Sequence, residues 1–217
     1  MLEAPAIDEL TDTTRYERIA AFRHNNPGAF LETYFLDYTW HPTVPVAIYW
    51  ILNFAIVTLI GVEWSSGHHG VRGLADFGFG VVLAFALMPL HEALHGVAYK
   101  LFGARDIRYR VLWRKAMAYA IAHRFVANGR AFFWVAIAPS LVINPALLAY
   151  AYLAPPQWRL TILSALFLHV AFTSGDFALL NFFHVNRGRA PFTYDDVDEG
   201  VSYFFVEARP IGEHHQV

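Results

Sequence analysis

Four long apolar stretches constrain this chain more than any other feature of its sequence. A bilayer core of about 30 Å takes roughly 20 apolar residues wound as a helix. Residues 43–62 and 131–153 carry no charge, residues 77–100 hold only Glu92 in their interior, and residues 158–183 hold only Asp176 beyond Arg159 at the edge. Helices of soluble proteins keep a polar face, so the four stretches read as membrane spans. Composition agrees, since 56% of the 217 residues are hydrophobic and 16% charged, whereas a soluble domain has about a quarter charged. The predicted fold class is an all-α polytopic membrane protein of four transmembrane helices, with a short membrane-associated β-hairpin between helices two and three.

That hairpin is read from residues 107–111, which alternate apolar with basic side chains, and from Met117, Tyr119, Ile121 and His123 alternating with alanines, with a turn near Arg114 and Lys115. Before the spans, residues 1–42 form an N-terminal interfacial segment. It is read as two short helices separated by Asn25-Asn26-Pro27-Gly28, the second presenting Phe30, Tyr34, Phe35 and Tyr38 to the membrane surface or to the protein itself. This start is mixed and acidic, unlike a secretory signal. Residues 43–184 are the membrane-embedded domain and residues 185–217 a tail. In the tail, Asp195, Asp196, Asp198 and Glu199 read as a solvated acidic segment, and residues 201–206 as a short strand or an interfacial helix.

Of the 16 Lys and Arg residues, all but Arg72 and Arg159 lie in the N-terminal segment, in the connection between spans two and three, or in the tail. Positive charge marks cytoplasmic segments, so an integral membrane protein with both termini in the cytoplasm is expected. A net charge of −2 argues against a nucleic-acid partner. The absence of cysteine removes thiolate ligands, disulfides and thiol nucleophiles together, leaving His and carboxylates to hold any metal.

Such a set stands in the second span as His91-Glu92-Ala93-Leu94-His95. Residues four apart share a helix face, so two imidazoles point at one place with a carboxylate beside them. With 11 His in the chain, chance would produce this pattern about 0.02 times per shuffled sequence. Ionisable groups within a span mark function by default. Zinc held by two imidazoles and a third ligand keeps an open position for water, and Glu92 is placed to move that water's proton.

The third ligand must come from another span. Asp176 lies 18 residues into the fourth span, as His95 lies 18 residues into the second, and both are therefore about 27 Å from the outer ends. An unpaired carboxylate at that depth is costly, and a shared cation relieves the cost. His169, two turns earlier, is the competing ligand, or else a group supporting a ligand from behind. Asn144-Pro145 reads as a kink whose polar side chain faces the bundle, Asn181 and His184 as solvated interfacial groups, and His68, His69, His214 and His215 as loop or tail residues without a metal.

Residues 88–96, Met-Pro-Leu-His-Glu-Ala-Leu-His-Gly, together with Gly175-Asp176 on a later helix, resemble the small membrane proteins called putative zincin peptidases, related to the site-2 proteases. The resemblance implies a membrane zinc metallopeptidase with Zn2+ as cofactor, His91, His95 and Asp176 as ligands and Glu92 as the catalytic carboxylate. It also implies membrane-associated strands between Ile107 and His123 that either offer an exposed edge to an extended substrate or cap the cytoplasmic opening. The order Gly175-Asp176-Phe177 departs from the Leu-Asp-Gly context usual in site-2 proteases. The expected activity is endoproteolysis of membrane-associated polypeptides near the cytoplasmic leaflet; a non-catalytic membrane metal binder or transporter is the alternative.

Overall fold

The structure, a computed structural model, describes residues 4–36, 43–69, 72–112 and 117–208. Helices α1 (Gly28–Leu36), α2 (Thr43–Ser65), α3 (Gly73–Ala86), α4 (Met88–Leu101), α5 (Gly129–Leu153), α6 (Pro156–Phe172) and α7 (Ser174–Val185) are joined by six strands: β1 (Tyr16–Arg23), β2 (Ile107–Leu112), β3 (Met117–Ala122), β4 (Ala127–Asn128), β5 (Phe192–Asp196) and β6 (Val201–Glu207). The architecture is thus mixed α and β, which corrects the all-α, four-span expectation.

Two antiparallel sheets make the difference. Strands β2 and β3 form the hairpin between α4 and α5, with Ile107 opposite Ala122; its turn lies outside the described residues. The second sheet, in the order β1-β6-β5-β4, was not foreseen. It pairs Tyr16 with Glu207, Phe192 with Phe205 and Ala127 with Thr193. Local pattern cannot announce the pairing of β1 with β6 or of β4 with β5, because those partners lie far apart in the chain. The stretch before Asn25 therefore becomes a 3-10 turn at Ile7–Thr11 and strand β1 rather than a helix. Pairing with β6 overrides the helical leaning of its alanines.

Among the described residues, three helical rods are long and apolar enough to cross a membrane: Gly73–Leu101, Gly129–Leu153 and Pro156–Val185. The described apolar part of α2, Trp50–Ser65, falls short of that length. Large apolar side chains including Phe54, Phe79, Val82, Leu148 and Tyr152 point outward, a surface compatible with a bilayer. Inside, α3 and α6 approach closely through small residues. A Cβ on Gly80 would lie 2.5 Å from the Thr161 carbonyl and 2.6 Å from Ser164 Cβ, and Ala84 and Ala165 are fully buried nearby.

Two of the three rods are interrupted beside one another's site residues. Pro89 in the first turn of α4 has no N–H to offer the preceding turn, and the break between α3 and α4 falls at Leu87. The break between α6 and α7 falls at Thr173, whose hydroxyl donates to the Val170 carbonyl at 2.7 Å, a back-bond that bends helices. The N-terminal segment packs on the protein itself. Phe30 of α1 stacks on Phe204 of β6 with centroids 4.6 Å apart and meets Phe182 of α7 at 5.9 Å, closing the sheet over the helical core.

Candidate metal centre

His91, Glu92 and His95 occupy the buried face of α4, at 3%, 6% and 7% exposure. The helical period delivers the two imidazoles to one point, with Nε2 atoms 3.0 Å apart. Beyond the break at Thr173, the first turn of α7 carries Asp176 against them: Oδ1 is 3.3 Å from His95 Nε2 and Oδ2 is 3.5 Å from His91 Nε2.

The surrounding hydrogen bonds determine which ring nitrogens hold protons. The Val135 carbonyl of α5 lies 2.8 Å from His95 Nδ1; a carbonyl only accepts, so Nδ1 donates, and in the neutral imidazole that metal ligation needs Nε2 keeps its lone pair. Asn144 Oδ1 lies 2.6 Å from His169 Nδ1, which makes that nitrogen the donor and leaves His169 Nε2 to accept. It accepts from His91 Nδ1 at 3.1 Å, and His91 Nε2 in turn is left bare. With both imidazoles neutral, two lone pairs and a carboxylate whose Oδ2 has no hydrogen-bond partner among the described residues thus converge without a donor among them. Such a cluster calls for a cation at its centre. Tetrahedral zinc with Zn–N bonds of about 2.0–2.1 Å would hold its nitrogens about 3.3 Å apart, close to the separation found, so the residues present fit zinc.

The site opens on a cavity of about 590 Å³ walled by apolar side chains including Phe22, Leu31, Phe132 and Phe172, with residues 118–121 of β3 along one side. Glu92 lines the same cavity. Its Oε2 is buried without a hydrogen-bond partner, while the backbone amide of Ala120 approaches its carboxylate.

Of the two candidates for a third ligand, Asp176 is the one brought against the paired Nε2 atoms; His169 stands behind His91, backed by Asn144. Asn144, read from sequence as a kink residue facing the bundle, is therefore tied to the site. The Val135 carbonyl left no signal in the sequence, because backbone groups carry none. Asn181 is fully buried and donates to the Tyr34 carbonyl, contrary to its solvated reading. The acidic segment is ordered as the β5–β6 turn, with Asp196 Oδ1 accepting from the amides of Asp198 and Glu199 at 3.0 and 3.1 Å. His69 is buried, 3.0 Å from Asp76 and 3.7 Å from Glu63. His214 and His215 lie outside the described residues. A second group, His123, Asp196 and Asp198, also converges, but His123 Nδ1 accepts from the Val197 amide. Its Nε2 then carries the proton and points it at Asp198, 3.6 Å away.

Comparison with known families now bears on this geometry. Residues 84–186 match the family model described as Putative zincin peptidase. No curated protein is significantly similar to the chain. Nor is any solved structure. The zincin match suggests a metallopeptidase and implies zinc. It takes in His91, Glu92, His95, Asn144, His169 and Asp176, and leaves out β1, α1, α2, β5 and β6.

Proposed function

We propose that the protein is a zinc-dependent endopeptidase embedded in the membrane, of the broad kind that includes the site-2 proteases, hydrolysing membrane-associated polypeptides near the cytoplasmic leaflet. The observation that carries this reading is the convergence of His91 Nε2, His95 Nε2 and the Asp176 carboxylate at 3.0–3.5 Å, with the Glu92 carboxylate, whose Oε2 has no hydrogen-bond partner among the described residues, in the same cavity.

His91, His95 and Asp176 would hold the metal, and His169, Asn144 and the Val135 carbonyl keep the two imidazoles in the tautomer that ligation needs. Bound zinc supplies Lewis acidity, which polarises the scissile carbonyl and acidifies the attacking water. Glu92 takes the proton from that water and returns it to the leaving amine. Apolar cavity walls keep bulk water away. Strand β3 pairs with β2 on one side and borders the cavity with residues 118–121, so an extended substrate could add alongside it as a strand and reach Glu92. The clustering of Lys and Arg in the N-terminal segment, the α4–α5 connection and the tail supports a cytoplasmic side for both termini and the hairpin, in keeping with the pairing of β1 with β6.

The test compares purified, zinc-loaded wild type with Glu92→Gln on candidate membrane substrates. The Gln variant should bind zinc normally and cleave at least about a hundredfold more slowly, since general acid–base catalysis contributes about 10²–10⁴-fold. Equal cleavage by the two proteins would end the peptidase reading.

A further inference from the structure

A second set of buried polar groups belongs to the same cavity and has no part in the metal centre. His24 follows the last residue of β1 and is 3% exposed. Its backbone is clamped from both sides: its amide donates to the Gly200 carbonyl at 2.8 Å and its carbonyl accepts from the Tyr119 hydroxyl at 2.5 Å. The ring is thereby held in the cavity wall, alongside Tyr119, Asp195 and Ser202. Among the described residues, neither ring nitrogen has a hydrogen-bond partner. Nε2 lies 3.5 Å from Asp195 Oδ1, within reach of charge but too long for a good hydrogen bond. Asp195 Oδ1 itself accepts from the Ser202 hydroxyl at 2.5 Å, which holds the carboxylate in place.

We propose that His24, braced by Asp195, is a specificity-determining residue of this cavity, accepting a hydrogen bond from a donor side chain of the bound polypeptide: a hydroxyl, an amide or an ammonium. The inference rests on the peptidase reading. A neighbouring carboxylate directs the ring proton to the nitrogen that faces it, here Nε2, and Nδ1 becomes a buried acceptor in the cavity wall. A substrate side chain that donates to Nδ1 satisfies it, while an apolar isostere leaves it dry and unpaired, which is how a site built for a hydrogen bond rejects the analogue that lacks one. An acidic side chain meets the Asp195 carboxylate instead and is repelled. Both His24 and Asp195 lie outside the matched zincin segment. The selectivity would therefore rest on the end of β1 and on β5, neighbours in the four-stranded sheet around β6.

The experiment uses the full chain, zinc-loaded in detergent, and matched peptides drawn from membrane proteins, in which one position at a time is Thr or its isostere Val, and Gln or Glu. Wild type should prefer Thr over Val at one position by about tenfold or more in kcat/KM. His24→Phe should bring that ratio to about one, His24→Gln should keep part of it, and Asp195→Asn should raise cleavage of the Glu peptide relative to the Gln peptide. A Thr/Val ratio unchanged in His24→Phe overturns the proposal, as does a wild type without such a position. If His24→Phe fails to fold, judged by lost zinc stoichiometry, the Asp195→Asn arm decides, and an unchanged Glu/Gln ratio overturns it. Wild type that cuts no peptide faster than Glu92→Gln removes the peptidase reading itself and this proposal with it; cleavage without the His24-dependent ratio removes only the latter.

Discussion

His91 Nδ1 donates to His169 Nε2 across 3.1 Å, and His169 Nδ1 donates in turn to Asn144 at 2.6 Å, so a residue that faces no metal sets the tautomer of one that would hold it. Replacing His169 by Phe strands the His91 N–H in a buried site, at a cost of about 1–3 kcal/mol, and frees the ring to turn. Zinc affinity, measured by competition with a chelator, should fall about 10–100-fold, with Asn144→Leu showing a smaller loss in the same direction. Unchanged affinity in both variants would mean that the relay does not orient His91.

Asp176 and Glu92 should separate cleanly. Asp176→Ala removes the carboxylate that faces both Nε2 atoms, and elemental analysis of the purified protein should show zinc well below one equivalent. Glu92→Gln should retain it. Zinc flux into liposomes that persists in wild type without any peptide cleavage would instead favour a transporter.

Gly96 is held without a side chain by Tyr109. A Cβ there would come within 2.2 Å of the Tyr109 hydroxyl oxygen and 3.3 Å of Ile107 Cγ2, so Gly96→Ala must displace the exposed Tyr109 ring and crowd Ile107 of strand β2, one residue beyond His95. Overpacking of this kind costs about 1–3 kcal/mol. The melting temperature should drop, and Tyr109→Phe combined with Gly96→Ala should recover part of the loss. Additive effects in that pair would contradict the contact.

The Tyr203 hydroxyl donates to Glu199, and that hydrogen bond, with burial adding to it, pushes the phenol up to about 12. Because the folded value lies above the usual 10, the neutral form is the stabilised one. Its contribution is complete below pH 10 and disappears as the pH rises towards 12. Ultraviolet titration of wild type against Tyr203→Phe should isolate a phenol that ionises late, and Glu199→Gln should bring it down towards 10. A Tyr203 that titrates at 10 in wild type would refute the bond.

Much of the candidate metal centre's geometry was legible because it is local or one-dimensional. The spacing of His91 and His95 places them on one helix face by period alone, and Asp176 could be put at their depth by counting residues along a second rod. Three of the four apolar stretches were legible as rods long enough to cross a membrane for a similar reason, since length and charge content decide whether a helix suits lipid, whereas the described apolar part of α2 falls short. What remained hidden depends on partners distant in sequence. Tyr16 meets Glu207 only when the chain's two ends converge, and no alternation pattern in residues 16–23 names that partner.

By itself, then, the sequence determined the apolar rods and the pair of imidazoles on one of them, because helical hydrogen bonds join residues four apart and each rod's solvent is chosen by its own side chains. Tertiary structure alone decided that Asp176 rather than His169 faces those imidazoles, that Asn144 and the Val135 carbonyl orient them, and that a sheet from both termini brings His24 and Asp195 to the same cavity. Those outcomes depend on the directions of single hydrogen bonds between separate elements, which are set only when the elements pack.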